Sequence, residues 1–238
     1  MTKKASNKDP LFVNCNMHLI LIYGVNLCLN LFSLWYSFYY LNSITKVLMM
    51  PLLMMLLWKK MGFTVKHRFI FYALFFSWMG DIFLLLQRYY SPSESRLFFS
   101  LGLFSFLVAH LAYIVCFLKD ISGKNKVSLV VENPYLVLPF LAFLIVCLGY
   151  LSPNLGEMKL PIYIYAVCII AMLLAAINRF NFVTQKSFYL ICSGAILFVL
   201  SDTALAINLF IHQSVILSVF VMLTYALAQL FIVLGREN

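Results

Sequence analysis

Three ionisable side chains lie inside long apolar runs of this sequence, where such groups are rare. They are Asp81, Asp202 and His110. An ionisable group in the core of a bilayer costs at least ~2.5 kcal/mol on insertion scales, so each of them needs a partner or a function. A carboxyl group in apolar surroundings favours its neutral form, which suits it to proton donation or to a proton relay. We therefore predict a chemical role for the two aspartates. For His110 a hydrogen bond to a backbone carbonyl is an open alternative.

Lys46 lies near the outer end of the second apolar run. At about 1.5 Å of rise per helical residue, Lys46, Asp81 and Asp202 are expected one to two turns below the same boundary. This depth predicts that the three side chains are neighbours in one polar pocket. Two other interpretations remain open: Lys46 forms a structural ion pair with one aspartate, or it extends to the membrane interface.

Further polar side chains repeat at helical spacing around these residues. On each of four predicted helices, the polar side chains are expected to share one face that points into the bundle. The sets are Ser77 with Asp81, His110 with Tyr113, Ser201 with Asp202 and Asn208, and Tyr225 with Gln229. Such residues also form hydrogen bonds between membrane helices without any chemical role, which is the structural alternative.

The elements that position these residues follow from composition. Of the 238 residues 64% are hydrophobic and 11% are charged, whereas soluble domains are about half apolar and about a quarter charged. Runs of roughly 17 to 25 apolar residues are long enough to cross a bilayer as helices. The sequence predicts an all-α polytopic membrane bundle with eight spans, at residues 19–40, 43–58, 69–87, 97–118, 135–151, 161–178, 187–208 and 214–234.

The distribution of basic residues predicts the orientation. If the spans alternate, 13 of the 17 Lys and Arg residues fall on the side of the two termini. Because cytoplasmic loops carry the excess of positive charge, both termini are expected in the cytoplasm. The domain organisation is then a cytoplasmic segment 1–18, a transmembrane domain 19–234 and a cytoplasmic tail 235–238. We expect a multi-pass protein of the cell (inner) membrane.

The third and seventh predicted spans have similar centres and the same direction. Phe-Ser-Trp-Met-Gly-Asp ends at Asp81, and Phe-Val-Leu-Ser-Asp ends at Asp202. This similarity favours a parallel repeat of two four-helix halves whose acids meet at the interface.

An ordered set of motifs resembles the YhhN-like lysoplasmalogenase family. The motifs are Lys46 with Pro51, Ser77-Trp78-Met79-Gly80-Asp81, Gly102-Leu103, Ala109-His110-Leu111-Ala112-Tyr113, Gly194-Ala195, Ser201-Asp202-Thr203-Ala204-Leu205-Ala206 and Tyr225-Ala226-Leu227-Ala228-Gln229. They extend from the second predicted span to the last, whereas the first eighteen residues and the loops carry no such likeness.

The resemblance implies hydrolysis of the vinyl ether bond of lysoplasmalogens, which yields a fatty aldehyde and a glycerophosphoethanolamine or glycerophosphocholine. The implied catalytic residues are Asp81 and Asp202. The implied substrate contacts are Lys46, Ser77, His110, Tyr113, Ser201, Asn208, Tyr225 and Gln229. The expected partner is a lysophospholipid within the bilayer, and no nucleic acid, metal or other cofactor is expected.

Two other functions use paired intramembrane acids. An intramembrane aspartyl protease has two aspartates on different helices, but this chain lacks the Gly-x-Gly-Asp and Tyr-Asp motifs of that class. A proton-coupled transporter would use Asp81 and Asp202 to relay protons.

Overall fold

The computed structural model describes residues 10–64, 67–123 and 126–236, and the regular elements in these ranges are all helical. The α-helices are α1 Pro10–Trp35, α2 Tyr39–Met61, α3 Arg68–Leu86, α4 Pro92–Ile121, α5 Leu129–Glu132, α6 Leu138–Leu151, α7 Lys159–Ile177, α8 Gln185–Phe210 and α9 Val215–Gly235. Short 3₁₀ turns at Pro134–Val137, Ser152–Asn154 and Gly156–Met158 connect α5, α6 and α7. The prediction of an all-α chain is confirmed.

Eight helical stretches are long and apolar enough to cross a membrane, and the single-turn α5 is not among them. Helix α6 reaches this length together with the 3₁₀ turns at its two ends, as the span Pro134–Asn154. The predicted number of spans is confirmed, and the chain is that of an integral membrane protein. An even number of spans places both chain ends on one face, which we call the amino-terminal face. The other side is the opposite face. Residues 1–9 of the predicted segment 1–18 and residues 237–238 of the predicted tail 235–238 lie outside the described residues.

The boundary between the first two spans differs from the prediction. The predicted first span reaches residue 40 and the second begins at residue 43, whereas α1 ends at Trp35 and α2 begins at Tyr39. Between them Ser37 has a φ of 59°, and the Phe38 N–H donates a hydrogen bond of 2.8 Å to the Ser33 carbonyl. This tight turn contains neither glycine nor proline, the residues that mark turns in a sequence, so composition does not reveal it.

Seven of the spanning helices form a ring in the order α1, α2, α3, α4, α7, α8 and α9, and α9 closes the ring against α1 and α2. Helix α6 lies outside this ring, against α7 and α8. In the most apolar stretch of each other span, 33% to 50% of the residues are buried inside the bundle. In the span that contains α6, only 6% are. Most of the surface of α6 therefore faces lipid.

Glycines allow the close approach of the two most extensive helix pairs, α3 with α4 and α8 with α9. A Cβ atom at Gly80 would stand 2.6 Å from the Phe106 ring, and one at Gly194 would stand 2.8 Å from the Ala228 carbonyl oxygen. Small residues at such crossings are typical of membrane helices. These are the third and fourth spans of each predicted half, so this pairing is the one that a parallel repeat would give.

A buried charged cluster joins helix ends at the amino-terminal face. The Asp120 carboxylate, at the end of α4, accepts hydrogen bonds from Arg179 Nε at 2.8 Å and from Arg236 Nη1 at 2.5 Å. The Arg179 side chain is 1% exposed. Burial lowers the pKa of this guanidinium, and the Asp120 carboxylate acts in the opposite direction. The pairing with Asp120 therefore offsets the cost of burying the arginine charge.

Two more side chains extend this amino-terminal charge cluster to α2 and α8. Arg179 Nη2 donates to the Ser187 hydroxyl at 2.8 Å, and that hydroxyl donates to the Gly235 carbonyl at 2.6 Å. Lys60 Nζ donates to the Leu234 carbonyl at 2.6 Å. The last carbonyls of α9, which have no partner within the helix, are satisfied in this way. The ends of α2, α4, α8 and α9 are thereby held together.

Candidate active site

Asp81 lies on the inner surface of α3 and its side chain is 2% exposed. Lys46 Nζ, on α2, stands 3.5 Å from Asp81 Oδ1. The Tyr225 hydroxyl, on α9, donates a hydrogen bond of 2.8 Å to Asp81 Oδ2. Both carboxylate oxygens therefore have a polar partner. The ion pair is the arrangement that offsets the cost of placing a lysine and an aspartate in the apolar interior.

A second set of hydrogen bonds continues from α9 towards the amino-terminal face. The Tyr113 hydroxyl donates to Gln229 Oε1, and Gln229 Nε2 donates to the Ser77 hydroxyl at 3.1 Å. All three residues are buried. Gln229 follows Tyr225 by one helical turn, so this set lies directly beneath the Asp81 site. It connects α3, α4 and α9 around the acid.

Asp202 has different partners. The Tyr165 hydroxyl, on α7, donates a hydrogen bond to Asp202 Oδ2. His110 Nε2, on α4, lies 2.9 Å from that hydroxyl and 3.5 Å from the same carboxylate oxygen. The other ring nitrogen of His110, Nδ1, is buried and has no hydrogen-bond partner among the described residues. Asp202 thus belongs to a compact group of three titratable side chains with no lysine or arginine in it.

The expectation of one polar pocket for Lys46, Asp81 and Asp202 is met only in part. Lys46 and Asp81 are paired, whereas Asp202 shares none of their hydrogen bonds. The two groups are connected through an aromatic side chain. The Phe198 ring centroid is 5.5 Å from that of Tyr225 and 4.8 Å from that of His110.

The two acids occupy corresponding places in the two predicted halves. Asp81, on the third span, is approached from the second span by Lys46 and from the eighth by Tyr225. Asp202, on the seventh span, is approached from the sixth by Tyr165 and from the fourth by His110. If the first four spans are numbered against the last four, each acid and its two supporting helices therefore have counterparts in the other half. The main chemical difference is that one acid has a cation as its partner and the other does not.

A cavity of about 550 Å³ lies between the ends of α1, α2, α3, α4, α8 and α9 at the opposite face. Its polar lining consists of Ser33, Ser37, Tyr39, Asn42, Lys46, Gln87, Arg88, Ser95, Asn208, Gln213, Ser214 and Ser218. Its apolar lining consists of Leu34, Leu84, Leu205, Leu209, Val215, Val221 and Met222. None of the described residues that line it is acidic. A cavity of this size and mixed polarity is typical of a site for a small amphipathic ligand.

The floor of this cavity, which includes Lys46, Leu84 and Leu205, lies about one helical turn from each acid along α3 and α8. Leu84 is three residues beyond Asp81 on α3, and Leu205 is three residues beyond Asp202 on α8, so each leucine stands about one turn above an aspartate. Lys46 contributes to the floor with a side chain that is 14% exposed, and it contacts Asp81 directly. Asp81 therefore contacts a side chain of the cavity floor.

Asp202 also borders a smaller cleft of about 60 Å³ between α6, α7 and α8. Apart from Asp202, Tyr165 and Thr203, its lining is apolar. On α8 the residues that line the cleft and those that line the large cavity lie on adjacent faces, and Asp202 stands at their boundary. The cleft is covered on one side by α6, the helix that packs least against the rest of the bundle.

Two of the predicted site residues have structural contacts. The Ser201 hydroxyl donates to the Val221 carbonyl at 3.0 Å and so fastens α8 to α9. Asn208 Nδ2 donates to the Ser218 hydroxyl at 3.0 Å, and Asn208 Oδ1 accepts from the Ser214 N–H at 2.8 Å. Asn208 does line the cavity, but its amide is occupied in holding the α8–α9 turn.

Two residues of the site were not predicted from the sequence. Tyr165 stands in the apolar run of α7, where tyrosine is common and carries no signal by itself. Tyr165 is on the sixth span and Lys46 is on the second, and these spans correspond in the two predicted halves. The repeat could therefore have indicated that a side chain of the sixth span contacts Asp202, as Lys46 contacts Asp81. Arg88 was recognised only as one of the basic residues outside the membrane, although it lines the cavity.

Within residues 10–64, 67–123 and 126–236, no three His, Cys, Asp or Glu side chains are grouped closely enough to hold a metal ion. Fold and site together define a polytopic helical membrane protein with one buried and one partly buried carboxyl group near an amphipathic cavity. A family model described as the YhhN family matches residues 41–236, from the beginning of α2 to the end of α9. The chain belongs to the YhhN family, as its motifs predicted. No curated protein and no solved structure matches the chain.

Proposed function

We propose that this protein is a lysoplasmalogenase, a membrane-embedded hydrolase that cleaves the vinyl ether bond of lysoplasmalogens. The observation that carries the proposal is the position of the cavity floor, one helical turn above both Asp81 and Asp202. The resemblance of the motifs supplies the substrate class. We propose that the protein carries out this reaction in the cell membrane, with both termini in the cytoplasm.

The cavity matches the parts of such a substrate. A lysoplasmalogen has a polar glycerophospho head group and one alkenyl chain, joined by the vinyl ether. The polar lining near the opposite face suits the head group, and the apolar residues that lie deeper, Leu205, Val221 and Met222, suit the vinyl ether and the first part of the chain. The reactive bond would then lie at the floor, next to the acids.

Hydrolysis of a vinyl ether begins with proton transfer to the β-carbon, the vinyl carbon that is not bonded to oxygen, which leaves an oxocarbenium ion on the carbon that bears the ether oxygen. Water adds to that carbon and loses a proton, which gives a hemiacetal. The hemiacetal breaks its bond to the glycerol oxygen, and this oxygen takes a proton. One water is consumed, and the products are an aldehyde and a glycerophospho compound. A carboxyl group serves as the proton donor and a second carboxylate stabilises the cation, as at glycosidic bonds.

The contacts suggest how the roles divide. Asp81 is paired with the Lys46 ammonium, the setting of a carboxylate that stabilises a cation. Asp202 has only Tyr165 and His110 as titratable neighbours in its group, the setting of a carboxyl that exchanges a proton. We assign Asp81 to the stabilising role and Asp202 to proton donation.

The geometry is less favourable to the alternatives. In an aspartyl protease two carboxyl groups share one proton and must lie within hydrogen-bond distance, whereas Asp81 and Asp202 bind different partners. A proton-coupled carrier needs access from both faces in turn, and the amino-terminal end of this bundle is occupied by the charge cluster around Asp120.

The test is to incubate purified protein with a lysoplasmalogen and with its saturated alkyl-ether analogue, while aldehyde release is measured. We expect aldehyde from the vinyl ether alone. Asp81→Asn and Asp202→Asn should each reduce turnover to below about a tenth of wild type, since each removes one of the two carboxyl roles. Cleavage of a transmembrane peptide without lysolipid hydrolysis, or a flux that requires a proton gradient, would favour the rival functions.

Isotopes test the chemistry separately. In heavy water the aldehyde should carry one deuterium on the carbon next to the carbonyl, because that C–H bond is new. In oxygen-18 water the glycerophospho product should stay unlabelled. The bond between the glycerol carbon and the former ether oxygen is not broken, so the glycerol keeps its original oxygen. A labelled glycerol hydroxyl, or an aldehyde without deuterium, would exclude carbon protonation by a carboxyl group.

A further inference from the structure

The mouth of the cavity contains an unusual pair of side chains. Arg88, in the turn after α3, is exposed and donates from Nη1 to Asn42 Oδ1 at 3.1 Å. Asn42, on α2, is 3% exposed, and its Nδ2 is buried with no hydrogen-bond partner among the described residues. A buried amide donor without a partner costs free energy, so it points to a ligand or water that accepts its hydrogen bond.

The charge around this pair is positive. Arg88 and Lys46 both line the cavity, and the described lining contains no acid. Lys46 is balanced by Asp81 beneath the floor, whereas Arg88 has no carboxylate partner among the described residues. An unbalanced guanidinium beside an unsatisfied amide donor favours a planar or tetrahedral oxyanion, which accepts several hydrogen bonds at once.

The distance from this mouth to the acid is set by α3 itself. The five residues from Asp81 to the last residue of α3, Leu86, correspond to about 7.5 Å along the helix axis, and Arg88 follows in the turn beyond it. This distance is comparable to the length of an extended glycerol unit between a phosphate and an ether-linked carbon. An anion held at Arg88 would place such a carbon near the floor of the cavity.

We propose that Arg88 and the Asn42 amide, with Lys46 beneath them, form a phosphate-binding site that holds the phosphodiester of the lysolipid. This inference rests on the proposed function for the identity of the lipid, but the phosphate chemistry rests on the side chains alone. The site sets the depth to which a lysolipid enters, so Arg88 is a positioning residue and determines specificity for phosphate-containing lipids.

The first test measures binding to wild-type protein in lipid nanodiscs and requires no turnover. The probes are a saturated 1-O-alkyl lysophosphatidylcholine and the 1-O-alkylglycerol of the same chain, which differ only in the phosphocholine. We expect the phosphate-containing lipid to bind about ten- to a hundredfold more tightly, as one or two charge-assisted hydrogen bonds would give. Equal binding of the two lipids would overturn the proposal, whether or not the protein hydrolyses vinyl ethers.

The second test uses variants of matched charge. Arg88→Gln should abolish the preference for the phosphate-containing lipid and leave alkylglycerol binding unchanged, and Arg88→Lys should restore part of the preference. The control is Arg96→Gln, because Arg96 pairs with Glu157 at the same face with both side chains largely exposed and does not line the cavity. A loss of preference in Arg96→Gln equal to that in Arg88→Gln would refute the assignment to Arg88.

Competition identifies the source of the phosphate. Displacement of the bound lysolipid by glycerophosphocholine but not by inorganic phosphate supports a site for a lipid head group. Displacement by inorganic phosphate as well supports a site for a free anion that the head group also occupies. Failure of both compounds to displace it would overturn the phosphate site. Retained phosphate-dependent binding without aldehyde release would overturn the proposed hydrolysis and leave this site standing.

Discussion

The ion pair between Lys46 and Asp81 allows stability and turnover to be separated by substitution. Asp81→Asn removes the negative charge but keeps the shape of the side chain, and its amide oxygen can still accept the hydrogen bond from Tyr225. What is lost is the neutralisation of the Lys46 ammonium, whose Nζ lies 3.5 Å from the carboxylate. The variant therefore leaves an uncompensated cation in the bundle.

Removal of one partner of a buried ion pair costs about 3–5 kcal/mol. Since the Lys46 side chain is 14% exposed, we expect the lower end, about 3 kcal/mol, which is a factor of roughly 100 in the unfolding equilibrium. For a chain of this length that corresponds to a fall of about 6–12 °C in the unfolding temperature. In Asp202→Asn the fall should be smaller, within about 1 kcal/mol, because Asp202 has no cationic partner of this kind.

The assay is thermal unfolding in a fixed detergent, with aldehyde release measured on the same preparations. The double variant Lys46→Met with Asp81→Leu should regain most of the lost unfolding temperature, because apolar residues of similar size can replace a buried pair, and it should remain inactive. If Asp81→Asn unfolds within 2 °C of wild type, or if Asp202→Asn is equally destabilised, the ion pair does not stabilise the bundle as inferred here.

Three further outcomes are expected. Reporter tags at both termini should be cytoplasmic and a tag in the 152–158 loop external, whereas termini on opposite sides would contradict an even number of spans. Gly194→Leu should destabilise by about 1–3 kcal/mol or more in thermal unfolding, because its Cβ would press on the α9 backbone, while Gly24→Leu, with nothing within 4 Å of its Cβ, should not. Asp120→Asn should lower the unfolding temperature by an amount similar to Asp81→Asn, because Arg179 and Arg236 both lose the carboxylate charge with which they pair, and an unchanged temperature would show that the cluster adds no stability.

Most of the fold could be predicted because the bilayer restricts what an apolar run can become. Length and composition were sufficient for eight helices, since a span must satisfy its backbone hydrogen bonds internally. The turn at Ser37 was missed because it consists of residues that are equally common inside spans. The external position of α6 was also beyond prediction, because its sequence is as apolar as that of the helices in the ring.

The residues of the candidate site that could be predicted are those whose side chains are costly to bury in a membrane. Asp81 and Asp202 were found because a carboxyl group in lipid is expensive. The partner of Asp81 could be named because Lys46 is itself unusual at that depth. The partner of Asp202 could not, since Tyr165 is one of many tyrosines. Asp120 was overlooked because it lies at a helix end, where an acidic residue is common. Only the structure shows that it pairs with Arg179 and Arg236.

The cavity opens at one end of the bundle and its floor lies about one helical turn from each acid, while charged side chains fill the other end. If the proposed hydrolysis takes place in this cavity, the protein would act on one leaflet only. In vesicles that hold the protein in a single orientation, lysolipid in the facing leaflet would be consumed first, and the remainder only as fast as it crosses the bilayer. Product formation would then show two phases, and the size of the first would report how the lipid was distributed between the leaflets when the reaction began.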